Sequence, residues 1–172
     1  VPDLELVVAY GFHNWESAVK ARNDQAQMKA LEEIKSLMKQ EGITYVGRVD
    51  KKTLAQHQME SKAWLYPTWF SETFCITAVE AGMAGCAVVT TPYAGILTTM
   101  GESPIYAEGS KDVPVEQWSY TPEYLEDFIT KSVKVLTDDS LRIEAAKKVS
   151  DKVSVYTWQH AADLWMEEWG LL

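Results

Sequence analysis

Two cysteines, Cys75 and Cys86, are all the chain contains. Two thiols cannot build a disulfide framework or a four-ligand zinc site, and unpaired thiols fit a reducing, cytoplasmic setting. No apolar run approaches the roughly 20 residues of a membrane span. Val1-Pro2-Asp3 carries no signal-peptide pattern, and the absence of an initiator Met suggests a piece of a longer chain. Cations are also short: 16 Lys and Arg stand against 25 Asp and Glu, a net charge of −9. That balance argues against binding along a nucleic-acid backbone. A small anionic ligand stays open, because a few backbone N–H groups can hold a phosphate. There is no Asp-x-Asp to hold a metal-bound diphosphate, no His/Cys/Asp cluster at metal spacing and no Gly-x-x-x-x-Gly-Lys-Ser/Thr loop.

What is present is 172 residues with ordinary apolar content, enough for one domain or one lobe of a larger protein. Short apolar runs punctuated by Gly or Pro read as buried strands over Leu4–Tyr10, Ile43–Val46, Ala63–Tyr66 and Ala87–Thr90, with a short one at Ile105–Tyr106. Helical spacing predicts helices over about 18–41, 51–61 (capped by Asp50) and 73–84, with one short helix after the fourth strand. Residues 110–118 read as irregular. Thr121-Pro122 then opens a helix, a second runs over about 139–152, and Thr157 caps a third over about 158–169. Strands alternating with helices predict an α/β fold, a parallel Rossmann-like sheet with flanking helices and a helical C-terminal segment. The expected organisation is a single domain with an α/β core over 1–109 and a helical part over 120–172.

In such sheets ligands bind beyond the carboxyl ends of the strands. Here those ends are Tyr10-Gly11, Gly47-Arg48, Pro67-Thr68 and Thr90-Thr91. The segment from Pro67 to Thr90 holds two carboxylates, Glu72 and Glu80, seven residues apart. If both lie on one helix they point to similar azimuths about 12 Å apart. That is too far for a carboxylate pair sharing a proton and suits two ends of one extended ligand. Carboxylates accept from vicinal hydroxyls, which sugars and riboses offer. The N–H groups of Thr73, Phe74 and Cys75 lie between, at the expected helix mouth, where a phosphate is favoured. An acidic first turn and a solvated helix face are the ordinary explanations of the same residues. Glu80 departs from the second, because its neighbours from Ala78 to Ala84 are otherwise small or apolar.

The run Ser71-Glu72-Thr73-Phe74 through Glu80-Ala81 and Gly85, followed by a Val-Val-Thr strand, resembles the Glu-x7-Glu motif of retaining GT-B glycosyltransferases, especially family 4. Trp64-Leu65-Tyr66-Pro67-Thr68 resembles that family's strand ending in Pro-Ser. Tyr45-Val46-Gly47-Arg48-Val49 with Leu54 resembles its Phe-x-Gly-x-Val step, and Leu6 to Gly11 its preceding strand-glycine unit. Tyr156-Thr157-Trp158 with Ala161-Ala162 resembles the aromatic-Ser-Trp start of its last helix.

The resemblance implies the donor lobe of a GT-B fold that takes a nucleotide-diphosphate sugar, UDP- or GDP-linked, as substrate with no further cofactor. It implies Glu72 on the donor sugar as the catalytic carboxylate, and Glu80 on the ribose. Thr73, Phe74 and Cys75 would meet the diphosphate or sugar. Gly11, Thr68 and the Arg48-Val49 backbone would line the donor site, with the base at Arg48-Val49. His13, Tyr93 and Gly95 are further candidates at strand ends. The acceptor is a glycan, lipid or protein, and any membrane association would be peripheral, through parts outside this chain. The family's first strand with Gly-Arg and its following Lys-Gly have no counterpart here, nor has its acceptor-binding N-terminal domain. The chain alone is therefore expected to be inactive. Cys75 stands where Gly is common and Thr77 where a larger apolar residue is usual. A non-catalytic sugar-nucleotide-binding module and a GT-B sugar-nucleotide epimerase are the alternatives. Of the tryptophans on the last helix, Trp158 and Trp165 are expected in the core and Trp169 at a docking surface, while His57 and His160 read as surface or packing residues.

Overall fold

The computed structural model describes residues 4–171, so the Val1-Pro2-Asp3 segment lies outside the described residues. The chain divides into two compact units, one running through His57 and one from Gln58 onward.

In the first unit, β1 (Leu6–Val8) pairs in parallel with β2 (Ile43–Tyr45), in the register Leu6–Ile43 to Val8–Tyr45. The crossover consists of two helices, α1 (His13–Arg22) and α2 (Gln25–Leu37), where one long helix was expected. Asn23 takes a left-handed conformation (φ 50°) and ends α1, and the Asp24 carboxylate accepts from the Gln27 N–H to start α2. Two residues suited to stopping and capping a helix thus outweigh the apolar periodicity around them. Nor is β1 the buried strand its composition suggests. Leu6 is 46% exposed, and among the described residues β2 is its only strand partner. Among the described residues the unit's buried apolar side chains are Phe12, Val19 and Leu31.

α3 (Lys51–Glu60) follows β2, and Asp50 caps it by accepting from the Thr53 N–H at 2.9 Å. The second unit is built on a parallel sheet in the order β3 (Ala63–Tyr66), β4 (Ala87–Thr90), β5 (Ile105–Tyr106). α4 (Ile76–Met83) connects the first two strands and α5 (Gly95–Met100) the last two. All four β4 residues are buried, as expected for a strand covered on both faces. Its alternation sorts them: Val88 packs with Ala78, Val79, Ile96, Met100, Val149 and Val153. Ala87 and Val89 pack on the other side with Tyr124, Phe128, Val135 and Ala145.

Three helices close the chain: α6 (Pro122–Thr137), α7 (Asp139–Val153) and α8 (Trp158–Glu168). Thr121 and Thr157 cap α6 and α8 with side-chain oxygens, as expected, and Asp138 caps α7 in the same way. The stretch expected to be irregular before α6 contains a 3-10 helix, Val115–Tyr120. Trp118 anchors it, donating from Nε1 to the Ser110 and Val113 carbonyls. The expected core positions on α8 are overturned. No α8 residue is buried, and Trp158 and Trp165 are 93% and 61% exposed. Trp165 meets only part of its surface need by packing edge-on against Trp169, with centroids 4.8 Å apart. No helix among the described residues is long and apolar enough to cross a membrane.

Candidate functional site

The site residues of the first unit gather where β1 and β2 end. β1 passes through Tyr10-Gly11 into the start of α1, while Gly47 turns the chain after β2 at φ +66°. A Cβ on Gly11 would stand 3.4 Å from the Arg48 Cβ and 3.5 Å from the His13 Nδ1, so a glycine there lets the two strand ends close on each other. Tyr45 donates its hydroxyl to the Tyr10 carbonyl at 2.7 Å and fixes that approach. A cleft of about 400 Å³ results, with Gly11, His13, Arg48, Val49 and Leu54 on its walls. Gly11, His13, Arg48 and Val49 are thus brought together. A second, larger cleft of about 700 Å³ shares Gly11, His13 and Arg48 and adds Lys35 from α2 and Met38 and Lys39 from the turn after it. Sequence reading missed this contribution from the end of α2 and the turn after it. Lys35 is neutralised by Glu16, whose carboxyl lies below its ordinary range chiefly because it accepts a hydrogen bond from Lys35.

In the second unit the loop from β3 to α4 is held at four backbone points. The Thr68 N–H donates to Thr91 Oγ1 at 3.1 Å, and the Phe70 N–H to Thr68 Oγ1 at 3.0 Å. The Glu72 N–H donates to the Phe70 carbonyl at 3.0 Å, and the Gly95 N–H to the Glu72 carbonyl at 2.8 Å. Thr68, expected at the donor site, is buried and braces this loop. Gly95 is likewise needed by the protein itself. A Cβ there would lie 2.5 Å from the Glu72 carbonyl oxygen and 2.6 Å from the Thr73 carbonyl carbon, so its close backbone approach is to this loop. Tyr93 is half-buried at the tight turn leading to it.

α4 starts at Ile76, three residues later than expected, with Cys75 as its N-cap. The Ile76 N–H is turned back to the Phe74 carbonyl at 3.2 Å, which keeps Thr73 and Phe74 out of the helix. Their N–H groups are not helix-mouth donors, and Glu72 and Glu80 do not share one helix. The helix mouth is filled by the Cys75 side chain, 4% exposed, which forms no capping hydrogen bond. Burial and the neighbouring Glu72 carboxylate push the Cys75 thiol up to about 12, against a smaller opposing pull from the Ala78 and Thr77 N–H groups.

Glu72 is the chemically exposed point of this arrangement. Its carboxylate interacts with the Cys75 thiol, while its Oε1 is buried and has no hydrogen-bond partner among the described residues. A buried acceptor left without a donor costs on the order of 1–3 kcal/mol, more when charged, so it marks a place where a donor from outside would be bound gainfully. Tyr66, which sequence reading left out, stands beside it. Burial raises the Tyr66 hydroxyl, Thr68 pulls the other way through a hydrogen bond, and the charge of Glu72 adds to the rise. Its place as the last residue of β3 was the available signal. Glu80 lies one turn into α4, half-buried between Val79 and Ala81, with no ion pair among the described residues. Among the described residues no group of three or more His, Cys, Asp or Glu is placed to hold a metal ion.

Residues 12–138 match the family model described as Glycosyl transferases group 1. The chain belongs to that family. No curated protein matches the sequence. Among solved structures, the chain is similar to one in a structure titled "Crystal structure of GtfA/B complex", with a TM-score of 0.64 and 16% identity. The match covers 95% of this chain and 35% of that one, so the chain spans about a third of its structural relative. At that identity the likeness shows the fold, which is the mixed α/β architecture of a GT-B lobe with parallel sheets flanked by helices. Neither cleft of the first unit includes Glu72 or Glu80.

Proposed function

We propose that this chain is the donor half of a retaining, metal-independent hexosyltransferase and binds a UDP- or GDP-linked sugar. The observation that carries the reading is the buried, unpartnered Oε1 of Glu72 in a group 1 glycosyltransferase chain. Glu72 accepts from hydroxyls of the donor sugar and orients it. Glu80, a half-buried carboxylate in an apolar helix, accepts from the ribose hydroxyls. Taken by itself, the first unit's cleft at Gly11, Arg48 and Val49 is suited to a base, with Gly11 sparing the space a side chain would fill. The backbone of Thr73 and Phe74, ahead of α4 rather than inside it, meets the diphosphate. In the transfer itself the departing diphosphate assists the incoming hydroxyl, and the protein supplies positioning and stabilises developing charge. Acceptor recognition and neutralisation of the diphosphate call for chain beyond these residues, so this chain alone binds but does not turn over. Sustained transfer by it would overturn that part.

Calorimetry with UDP, GDP, ADP and their sugar derivatives, with and without magnesium, tests the reading. Glu80→Ala is expected to weaken the free nucleotide by about tenfold or more, the worth of one charged hydrogen bond. Glu72→Ala is expected to leave the nucleotide alone and to abolish the extra affinity contributed by the sugar. Equal losses for nucleotide and nucleotide sugar in both variants would remove these assignments.

A further inference from the structure

Two consecutive threonines hold the chain that leads to Glu72: Thr90, the last residue of β4, and Thr91 after it, both fully buried. Thr90 Oγ1 donates to the Tyr66 carbonyl at 2.9 Å, and Thr91 Oγ1 accepts from the Thr68 N–H at 3.1 Å. These bonds fix the residues on either side of Pro67, which has no N–H of its own to give. From Thr91 two arms run to the main chain of Glu72. In the first, Thr68 Oγ1 receives the Phe70 N–H, and the Phe70 carbonyl receives the Glu72 N–H. In the second, the Tyr93 N–H donates to the Thr91 carbonyl at 2.9 Å, and two residues on the Gly95 N–H donates to the Glu72 carbonyl. Thr91 Oγ1 in turn shares a 2.6 Å hydrogen bond with the hydroxyl of Tyr124 on α6. Tyr124 is fully buried and its ring stacks on Phe128. Core packing asks only for the ring. A buried hydroxyl pair can often be replaced by apolar groups of the same shape at little cost, so stability alone does not account for this one. What the Tyr124 hydroxyl adds is orientation of Thr91 Oγ1, in a place from which solvent is excluded.

We propose that Tyr124, acting through Thr91, positions Glu72 for the donor sugar. The inference rests on the donor reading of Glu72. A carboxylate that orients a sugar must be held closely, by neighbours whose own conformations are locked. The main chain of Glu72 is held at its N–H and at its carbonyl, and both arms end on one threonine whose hydroxyl Tyr124 fixes. Without that hydroxyl, Thr91 Oγ1 is free to turn away from the Thr68 N–H. The first arm then slackens and Glu72 loses its aim, while contacts to the nucleotide part, made by other residues, stay. Tyr124 touches no ligand in this scheme and is a positioning residue.

Calorimetry of the native chain, Tyr124→Phe, Thr91→Val and Thr91→Ser with UDP, UDP-glucose, GDP and GDP-mannose tests the proposal. The quantity read is the ratio of nucleotide-sugar to nucleotide affinity. Tyr124→Phe and Thr91→Val are expected to cut that ratio by about tenfold, with nucleotide affinity within about twofold of the native value. Thr91→Ser keeps Oγ1 and should retain the ratio. Adding Tyr124→Phe to Glu72→Ala should change nothing further, because both act on one contact. Tm verifies that each variant is folded, and the Thr91 pair decides the same point should Tyr124→Phe fail to fold. A lower Tm with an unchanged ratio gives Tyr124 a structural role only and overturns the proposal, and loss of the ratio in Glu72→Ala then leaves the donor reading standing. Equal losses for nucleotide and nucleotide sugar in Tyr124→Phe overturn it as well. A ratio unchanged by Glu72→Ala, or no gain from the sugar in the native chain, sinks the donor reading and the positioning role with it.

Discussion

Cys75 and Glu72 illustrate how a residue's neighbours decide its chemistry. A thiol at a helix N-terminus is ordinarily acidified by the free N–H groups there. Cys75 is driven the other way, up to about 12, because burial and the adjacent carboxylate both disfavour a thiolate. Cys86 is raised to about 11 by burial, and its Sγ donates to the Gln58 carbonyl at 3.1 Å. At pH 8 both are neutral thiols without solvent access. Neither is expected to react with Ellman's reagent in the folded chain, and both should react at once in denaturant. Rapid labelling of one thiol in the native chain would contradict the packing around it. Glu72 and Glu80 were singled out in the sequence by their spacing and their apolar surroundings. The start of α4 was not. Ser71 and Thr73 both look like helix caps, and only the paired turns at Phe70–Glu72 and Phe74–Ile76 delay the helix to Ile76. The roles of Thr68 and Gly95 were hidden for a related reason, since both depend on the contacts of β4 and α5 with this loop.

Elements whose ends are set by local chemistry could be read closely. β3 and β4 match their expected bounds because apolar runs stop at Pro or at a threonine pair. α6 and α8 begin at the capping residues that sequence marks, Thr121 and Thr157. Burial of a face is another matter, because a stripe shows that a helix has an apolar side and not what covers it. Trp158, Trp165 and Trp169 form such a stripe and lie exposed. The α4–α7 contact shows the opposite case. A Cβ on Gly82 would stand 2.6 Å from Val149 Cγ1 and 3.0 Å from Val153 Cγ2, so the two helices meet too closely for any side chain there. Gly82→Ala is expected to destabilise the chain by about 1–3 kcal/mol despite alanine's better helix propensity. Thermal unfolding would show this as a fall of roughly 2–4 °C per kcal/mol. An unchanged or higher Tm would mean that α4 and α7 are further apart.

α6 offers a pH-dependent counterpart. Lys131 bonds both the Tyr106 carbonyl and Asp127 Oδ2, and the Glu108 N–H donates to the same carboxylate at 2.7 Å. Partial burial works to raise the Asp127 carboxyl, but the Lys131 hydrogen bond, the Glu108 N–H and the Lys131 charge outweigh it, and the net shift is downward. A depressed carboxylate adds stability above its unfolded pKa of about 3.9 and loses it as pH falls through the folded value. Tm measured from neutral pH down to strongly acidic pH should therefore fall less steeply in Asp127→Asn than in the native chain. Identical slopes would mean that the tie contributes nothing.

At the scale of the molecule the apolar core is distributed unevenly. The second unit carries two clusters on opposite faces of a strand buried along its whole length. Among the described residues the first unit rests on three buried apolar side chains and a two-stranded sheet whose β1 has an exposed leucine. Hydrophobic burial is the main favourable term in folding, and regions with little of it open locally below the global unfolding free energy. Amides of β1 and β2 should exchange with deuterium well before those of β4, and the first unit should lose its protection at lower denaturant. The clefts at Gly11 and Arg48 lie in that less stable unit. A nucleotide whose base binds there would stabilise it by mass action. Saturating UDP or GDP is therefore expected to slow exchange in β1 and β2 more than in β4, and the nucleotide that does so best identifies the base. Equal protection of all strands without ligand would refute the uneven core. Ligand protection confined to the second unit would take the base away from Arg48 and Val49.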